Sequence, residues 1–451
     1  MTLAAESVRL ELASIVGESR VVSDPVACAA LSVDGKTPRR VVYPPSGEQA
    51  AAVLRCAADH DLAVIACCNA TKLSTGNPPR RYDLALSLKE LNRVWHYEPA
   101  DLTVSIEAGM KFGDFQYLVA RDQLWLPLDP RGSARASLGG ILATSSAGSL
   151  RLRYGAPRDM VLGIKIATTE GKVVKTGGRV VKNVAGYDMG KLLVGSYGTL
   201  GVIVEASLKL YPLPAERVTF VLRAGTLGIA RDLRRRILLS ALEPLRLVLL
   251  NPKAATLVRA GSRRVEEVEE PEIWLDVGGS KRVIERCARE LEGLGRGAGS
   301  PLARWEAEEA ESFWARISDL PDWLGEAHPG LVVLKATLPI AGVEEFLSHA
   351  QQEAESENVA LAGFAQAGVG IVHVCLLEQK LTPGVASLAA RIRKAAEDLG
   401  GSLVVEHCPP DLKSAIDVWG PAGDDFEAMR KLKAVWDPKG ILSPGRFVGG
   451  L

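Results

Sequence analysis

The chain has 451 residues, with lysine plus arginine and aspartate plus glutamate at 54 each, so its formal net charge is zero. This balance gives no electrostatic case for a protein that binds nucleic acid or an anionic membrane surface. The hydrophobic fraction of 47% argues against a disordered chain, and the length predicts two or three domains rather than one core.

The N-terminal segment predicts an amphipathic helix rather than a signal peptide. Residues 1–17 carry Glu6, Arg9 and Glu11 and lack a basic start followed by an apolar centre. No stretch reaches the roughly 18 uninterrupted apolar residues of a membrane-spanning helix. The seven cysteines are odd in number and include no CxxC pair, which favours a reduced, cytoplasmic protein with no cysteine-bound metal.

Residues 37–125 alternate short strands with helices, a pattern typical of layered α/β or α+β structure. Strands are expected at 41–43, 63–67, 84–88 and 102–108, and helices at 47–60 and 111–121. Ser46 is the predicted N-cap of the first helix, because its hydroxyl can accept a backbone N–H of the first turn.

The middle of the chain predicts one domain boundary and a second α+β domain. Residues 138–210 are expected to be strand-rich, and the prolines of 211–214 then break the pattern, so the first domain is placed at 1–215. Strands and helices alternate again over 216–400, which we assign to the second domain. Residues 401–451 are expected to return to the first domain.

The most informative block runs from Asp129 to Glu205. Glycines fall at nearly every turn between apolar runs, so the backbone can approach a large, phosphate-bearing ligand closely. A Rossmann nucleotide fold is disfavoured, because Gly195, Gly198 and Gly201 are spaced GxxGxxG and a strand-like run follows them. The sequence therefore does not predict NAD as the ligand.

This block, with the phrases TKLSTGNPP and LKAVWDPKGILSPGR elsewhere in the chain, resembles the FAD-linked oxidases of the vanillyl-alcohol oxidase type. Within them it is most similar to the FAD-binding subunits of multi-subunit glycolate oxidases. The resemblance covers most of 38–215 and the segment from about Leu432. It implies FAD as cofactor and an α+β fold, in which a two-lobed FAD-binding domain is followed by an α+β cap or substrate domain.

The loop after the predicted strand 63–67 departs from the family. In the family this is a Gly-rich pyrophosphate loop, and Thr71, Lys72 and Gly76 match it, but Cys68 and Ala70 stand where glycines are expected. A non-glycine residue at positive φ costs about 1–2 kcal/mol. We therefore expect either a reshaped loop or weaker FAD binding.

The resemblance also implies which residues contact FAD. They lie in the loop, in the glycine-rich block and at the end of that block: Cys67, Cys68, Asn69, Ala70, Thr71, Lys72, Pro130, Ser137, Leu138, Gly139, Gly140, Thr144, Ser145, Gly148, Gly201, Val202 and Ile203.

For the substrate side, related flavin-dependent D-2-hydroxyacid dehydrogenases carry two histidine-containing stretches, which correspond here to 366–373 and 406–408. The resemblance implies His407 as the proton acceptor, with His373 nearby, and Lys335 and Arg316 as cations for a substrate carboxylate. Gln366 replaces one family histidine, and we expect no metal because too few ligands remain. The alternatives are a core role for the histidines and ordinary ion pairs for the cations.

The activity implied by the resemblance is oxidation of a small 2-hydroxy acid, glycolate or D-lactate. Electrons would pass to an iron–sulfur subunit in a complex that includes a second flavoprotein subunit, in the cytoplasm and peripheral to the inner membrane face through these partners. One alternative is a non-catalytic assembly subunit that binds FAD weakly or not at all. The other is a stand-alone flavin-dependent D-2-hydroxyacid dehydrogenase.

Overall fold

The computed structural model describes residues 3–178, 188–260, 267–380 and 384–451, with side chains from residue 6 onwards. The stretch 182–187 of the predicted flavin-binding block lies outside the described residues. Three large hydrophobic cores lie in the rest of the described chain. One contains residues up to Leu210 together with Ile441 and Leu442, and the other two lie on opposite faces of a large sheet formed after residue 215.

A small mixed sheet begins the fold. Its strands are β1 (Val21–Val22), β2 (Arg40–Val42), β3 (Val64–Cys67) and β4 (Leu84–Ser87). Their order is β1-β2-β4-β3, with β2, β4 and β3 parallel to one another. Strands β2 and β3 run in the same direction, so the chain needs a crossover connection between them, and a helix forms it. Ser46 caps this helix by accepting the N–H of Gln49 at 3.2 Å, which confirms the predicted N-cap.

A second, antiparallel sheet of order β5-β6-β10-β8-β9 packs in the same core. A two-stranded ribbon, β11-β7, joins it to the rest of the chain. The strands are β5 (Val94–Glu98), β6 (Thr103–Glu107), β7 (Leu124–Trp125), β8 (Val161–Ala167), β9 (Val173–Gly177), β10 (Val202–Lys209) and β11 (Tyr211–Pro212).

The helices of this region differ from the prediction in one stretch. They are α1 (Leu3–Val16), α2 (Pro25–Ala29), α3 (Gly47–Asp59), α4 (Phe112–Ala120), α5 (Leu138–Ala143), α6 (Arg151–Tyr154), α7 (Pro157–Met160) and α8 (Met189–Leu193). The expected strand-rich structure was wrong between residues 138 and 160, which form three short helices. Ser137 starts the first by accepting the N–H of Gly140, and Pro157 occupies the first turn of the third.

After residue 215 the chain forms one antiparallel sheet of order β15-β12-β14-β13-β17-β18-β16-β19. Its strands are β12 (Glu216–Arg223), β13 (Arg246–Leu250), β14 (Glu272–Gly279), β15 (Leu302–Glu306), β16 (Val332–Thr337), β17 (Ala360–Gln366), β18 (Ile371–Leu377) and β19 (Ser402–His407). The sheet therefore continues past residue 400.

Helices cover both faces of this sheet. They are α9 (Leu227–Leu238), α10 (Pro252–Arg259), α11 (Lys281–Gly297), α12 (Ala307–Ala327), α13 (Val343–Ser356) and α14 (Gly384–Asp398). The last helix, α15 (Phe426–Trp436), instead packs against the first core through Leu432 and Trp436. The cores place α9, α11, α13 and α14 on one face and α10 and α12 on the other. None of the helices in the described part of the chain combines the length and the apolarity that crossing a membrane requires.

The chain end runs back to the first sheet. The Val64 N–H donates to the Ile441 carbonyl at 2.8 Å, and the Ser443 N–H donates to the Val64 carbonyl at 2.8 Å, so residues 441–443 extend along β3. The division of the chain into domains at residues 215 and 400 stays a prediction.

Candidate active site

Two adjoining cavities mark the candidate site, one within the first region and the other between that region and the α12 face of the large sheet. The first, called the cleft here, has about 990 Å³ of free volume, part of it open to solvent, and is lined by residues of β3, the loop after it, α5 and the start of β10. The second, called the pocket, has about 780 Å³ and is lined by β16, β18, β19 and α12. Lys72, Thr75, Thr144 and Tyr197 line both, so the two cavities are direct neighbours.

Most of the residues predicted to contact the cofactor line the cleft. They are Cys67, Cys68, Asn69, Ala70, Thr71, Lys72, Ser137, Gly139, Gly140, Thr144, Gly201, Val202 and Ile203. Gly148 lines the pocket instead, and Pro130, Leu138 and Ser145 line neither cavity. Leu138 faces the first core, where it is 1% exposed. The geometry therefore groups thirteen of the predicted residues around one elongated space.

The loop after β3 forms a turn although Cys68 and Ala70 replace the glycines of the family. Ala70 has a φ of 57°, in the left-handed region that glycine occupies at little cost, whereas Cys68 is not among the residues with positive φ. The strain expected from the sequence therefore falls on Ala70 alone. Cys68 instead points its Sγ at the carbonyl of Gly109, 3.5 Å away.

The carbonyl groups of the next four residues of the loop accept hydrogen bonds from two cationic side chains. Arg446 donates to the carbonyls of Leu73 and Thr75, and Lys413 donates to those of Ser74 and Gly76. Lys413 is also paired with Asp34 at 2.9 Å, and both side chains are almost fully buried. Two cations thus bind the carbonyl groups of residues 73–76, and one of them, Arg446, also lines the cleft.

The N–H side of the loop is available to a ligand. Within the described residues, the backbone N–H groups of Ala70, Thr71 and Lys72 donate to no protein acceptor, and all three residues line the cleft. Successive unpaired N–H groups in a turn form a concave anion site. The cleft therefore suits a phosphate-bearing, extended ligand.

Two glycines in the block lie where a side chain would clash with other parts of the chain. A Cβ at Gly139 would lie 2.6 Å from the Cβ of Ala108, and one at Gly148 would lie 2.0 Å from the carbonyl oxygen of Asp129. Both glycines thus permit close packing of the chain on itself, which in turn brings α5 against the cleft.

The pocket contains a compact ionic cluster. Lys335 Nζ lies 3.1 Å from Glu406 Oε1, and His373 Nε2 lies 3.5 Å from Glu406 Oε2. Phe364 stacks on His373, with the ring centroids 4.6 Å apart and the planes 8° from parallel. One carboxylate is therefore shared between an ammonium group and an imidazole ring that is held flat against an aromatic side chain.

Sheet register explains why these side chains meet. His373 on β18 is directly opposite Lys335 on β16 and Phe364 on β17, and directly opposite residues in a sheet face the same side. On β19, Val404 is directly opposite Lys335 and Glu406 lies two residues further along, so alternation along the strand places Glu406 on the face that carries Lys335. A register shift follows at this point, because Leu334 pairs with Val405 while Val333 pairs with His407.

The electrostatic surroundings keep Glu406 ionised. Burial alone would raise its pKa, but the charges of Lys335, His373 and Arg131 and the hydrogen bond from His373 hold the pKa well below its usual value. Burial lowers the pKa of Lys72 to about 8, with Arg131 acting in the same direction and Glu406 opposing it. At neutral pH the pocket therefore presents a carboxylate beside several cations.

Two of the predicted catalytic residues, Lys335 and His373, meet in the pocket, and two do not. His407 lines neither cavity; burial lowers its pKa, and the charges of Arg131 and Lys413 add to this effect. Arg316 also lines neither cavity, and its guanidinium lies over the Trp323 ring at 5.4 Å.

Three further residues of the pocket were missed by the sequence argument. Arg131 lines it and donates from Nε to Asp322 Oδ1 at 2.6 Å, while its carbonyl accepts from Lys72 at 3.2 Å. Phe364 and Asp129 also line the pocket. The position of Arg131 two residues after Asp129, at the start of the glycine-rich block, was the one sequence signal that could have drawn attention to it.

Gln366 also lines the pocket, and in the described part of the chain its Oε1, like His373 Nδ1, is buried without a hydrogen-bond partner. Buried polar atoms of this kind are costly unless a ligand or water satisfies them. They therefore point to the pocket, and not only the cleft, as a place where a polar molecule binds.

Comparisons with known proteins match two family models along the chain. The model described as the FAD binding domain covers residues 38–177, and the model described as FAD linked oxidases, C-terminal domain, covers residues 213–447. The second model alone spans more than half of the chain. Together they confirm the prediction of FAD as the cofactor.

Individual relatives align over most of their length. Glycolate oxidase subunit GlcD of Bacillus subtilis is 26% identical over 418 residues, which are 91% of this chain and 89% of the relative. A D-lactate dehydrogenase of Archaeoglobus fulgidus is 29% identical over 417 residues, 90% of this chain and 91% of the relative.

The structure of p-cresol methylhydroxylase with substrate bound superimposes with a TM-score of 0.77 at 15% identity, covering 99% of this chain and 97% of that one. At this identity the likeness shows the fold alone. It confirms the predicted fold class, a two-lobed FAD-binding domain of the vanillyl-alcohol oxidase type followed by a second α+β domain.

Proposed function

Because the chain belongs to the FAD-linked oxidases, we propose that it oxidises a small 2-hydroxy acid, glycolate or D-lactate, and passes the electrons to a partner subunit. The observation that carries this proposal is the Lys335–Glu406–His373 cluster in a pocket that adjoins the cleft. The cluster offers a cation for a carboxylate and a proton acceptor for a hydroxyl, and a 2-hydroxy acid carries these two groups on adjacent carbons.

The cleft residues suit the cofactor of the family. The free N–H groups of Ala70, Thr71 and Lys72 would hold the pyrophosphate, and Val202 and Ile203 would line the far end of the cleft. When bound, FAD supplies the acceptor for the hydride that leaves the α-carbon of the acid. The residues that line both cavities, Thr144 and Tyr197 among them, lie where the cofactor and the acid would meet.

Three cations would bind the carboxylate of the acid. Lys335 uses one ammonium proton toward Glu406, and two further protons of the same group are left for a substrate. Lys72 and Arg131 line the same space. A carboxylate bound by charged donors of this kind gains about 1.5–3 kcal/mol per hydrogen bond.

His373 would take the hydroxyl proton at Nδ1, the ring nitrogen that has no hydrogen-bond partner among the described residues. Its Nε2 lies 3.5 Å from Glu406 Oε2 and faces that carboxylate, so the imidazolium formed is held beside a carboxylate that stays ionised. A neutral imidazole is a suitable proton acceptor near pH 7. We favour His373 over His407 for this role because His407 lines neither cavity.

A partner would receive the electrons. All seven cysteines are free and lie dispersed along the described part of the chain, which offers no set of cysteines for an iron–sulfur cluster. We therefore propose an iron–sulfur subunit and a second flavoprotein subunit as partners, in the cytoplasm. The relative from Bacillus subtilis is itself described as a subunit, which supports this proposal.

The test is the visible spectrum of the purified chain, followed by anaerobic addition of glycolate or D-lactate. We expect a flavin spectrum that bleaches with one of the acids. Lys335→Met is the matched control, because Lys335 lines the pocket but not the cleft. It should keep the flavin and bleach slowly. A flavin that neither acid reduces, alone or after addition of the partner subunits, would contradict the proposal.

One observation favours a second candidate, the non-catalytic assembly subunit. Ala70 holds a backbone angle at which a side chain is strained, in the loop that would bind the pyrophosphate. A chain that purifies without flavin, takes up none when FAD is added, and still joins its partners would support this second role.

A further inference from the structure

Three side chains of different chemistry meet on the outside of the first region, away from the cleft and the pocket. Glu11 lies on α1, Cys56 lies on α3, and His60 follows the last residue of α3. A carboxylate oxygen, the thiol sulfur and an imidazole nitrogen all lie within 4.8 Å of one another. His60 Nε2 and Glu11 Oε2 are 2.8 Å apart.

The convergence follows from how the two helices are built. Cys56 and His60 are four residues apart, so they project from one face of α3. Apolar side chains of α1, Val8 and Leu12, pack in the core shared with α3, and the Gln49 side chain donates to the Ile15 carbonyl at 2.7 Å. Packing, rather than the polar cluster, therefore fixes α1 against α3 and presents the third group, Glu11, to the other two.

An ordinary surface pair elsewhere in the chain provides a comparison. His349 and Glu353 on α13 are also four residues apart, with Nε2 and Oε1 separated by 3.6 Å, but no thiol joins them. The cluster at α3 adds the soft sulfur atom of Cys56, a residue that is 2% exposed, within reach of the other two ligand atoms. A histidine, a thiol and a carboxylate together form a ligand set typical of zinc-class ions.

We propose that Glu11, Cys56 and His60 form a binding site for a divalent transition-metal ion of the zinc class, with water as the fourth ligand. On binding, the Cys56 S–H bond breaks, its proton passes to solvent, and a sulfur–metal bond forms. The thiolate and the carboxylate together neutralise the two positive charges of the ion. No electron is transferred in this step.

The geometry needs only small adjustments. Bond lengths of about 2.0–2.3 Å in a tetrahedral site place ligand atoms about 3.3–3.7 Å apart. Glu11 and His60 are exposed side chains, so each can rotate to close the remaining distance. Without a cation, burial and the neighbouring Glu11 raise the pKa of the Cys56 thiol to about 12, so the site is expected to release a proton whenever it binds metal.

The site would connect α1 to α3. A metal that binds three groups from two helices stabilises the folded chain, since the unfolded chain does not bring the groups together. Zinc should therefore raise the melting temperature of the chain, and the enthalpy of binding should vary with the ionisation enthalpy of the buffer.

The experiment uses Co²⁺ as the probe on the full chain, and Zn²⁺ as its competitor. We expect one equivalent of Co²⁺ to give the charge-transfer absorption of a thiolate ligand, which Zn²⁺ abolishes. Cys56→Ala should remove this absorption, and His60→Ala and Glu11→Gln should each weaken the affinity at least tenfold. His349→Ala, which alters the comparison pair, should leave both absorption and affinity unchanged.

The results that would overturn the proposal are equally specific. A charge-transfer band that survives Cys56→Ala, or one that is lost in His373→Ala and kept in Cys56→Ala, would locate the metal elsewhere. Absence of any thiolate band with Co²⁺ would also reject it. Should Cys56→Ala fold poorly, the exposed variants His60→Ala and Glu11→Gln decide the outcome, because an affinity unchanged in both contradicts the site.

Discussion

The cleft and the pocket are neighbours, yet they are constructed differently. The cleft is lined mainly by residues 65–75, 136–144 and 196–203 of the first region, and its proposed ligand groups are backbone N–H donors. The pocket is lined by residues of five strands between 248 and 406, among them the charged or aromatic side chains of Lys335, Phe364, His373 and Glu406, together with residues of α12 and of the first region. The two cavities should therefore respond to different kinds of amino-acid substitution.

In the cleft, a substitution acts through backbone angle and available space. At Ala70, for example, the methyl group matters because of the φ at which it is held. In the pocket, a substitution acts through charge and proton position, as for Glu406, whose ionisation depends on its neighbours. Pocket variants should therefore lose turnover while keeping flavin, and cleft variants should change flavin retention first.

The largest effect is expected at His373. His373→Gln removes the proposed proton acceptor and should lower kcat by about 10²- to 10⁴-fold, a range typical of general-base removal. The flavin content should be unchanged, because His373 does not line the cleft. Steady-state kinetics and the visible spectrum measure both.

The matched control is His407→Gln, which alters the histidine that lines neither cavity. We expect less than a tenfold loss of kcat. A larger loss in His407→Gln than in His373→Gln would show that the pocket's proton acceptor has been assigned to the wrong residue.

A smaller effect is expected for the carboxylate cation. Lys335→Met removes a charged donor and should raise KM by about tenfold to a hundredfold, corresponding to the 1.5–3 kcal/mol of one charged hydrogen bond. It also removes the cation nearest Glu406, so the pKa of that carboxyl should rise. Lys335→Arg keeps the charge and should recover part of the affinity. A KM unchanged in Lys335→Met would remove Lys335 from substrate binding.

The same contrast explains how much could be read from the sequence. The cleft loop and its departure at Ala70 were predicted from a short local motif that resembles the family's pyrophosphate loop. The Lys335–His373 pair was predicted only through the family resemblance, since the residues are far apart in the chain. Glu406 lies on the same face as Lys335 because it is two residues from Val404, which is opposite Lys335. The sequence alone does not reveal this pairing of strands, and the prediction favoured His407 because an imidazole can accept a proton near pH 7.

Lys72 lies between the two cavities, so its titration tests how they are connected. Burial lowers its pKa to about 8, so the ammonium loses its charge above that pH instead of near the ordinary value of 10.5. An anionic substrate should then bind less tightly, and KM should rise by about fivefold to tenfold between pH 7 and pH 9. Lys72→Met should have a raised KM that no longer changes over this range. A wild-type KM that stays constant would show that Lys72 does not bind the substrate anion.

The smallest effect is expected in the cleft loop. Glycine populates the left-handed region readily, so Ala70→Gly should increase the fraction of loops whose N–H groups face the cleft. The relief is at most about 1–2 kcal/mol, and the greater entropy of glycine in the unfolded chain offsets part of it in overall stability. We expect flavin affinity to improve a few-fold, measured by fluorescence titration of FAD into the apoprotein.

Cys68→Gly is the control for that substitution, because Cys68 has no positive φ to relieve and loses its contact with the Gly109 carbonyl. Its flavin affinity should not improve. Ala70→Asn should fall between alanine and glycine, since asparagine tolerates this region better than alanine does. If the order of affinity were instead glycine at 68 above glycine at 70, the effect would come from the volume of the Cys68 side chain, since Cys68 has no positive φ to relieve. The cleft would then depend on side-chain volume rather than on backbone angle.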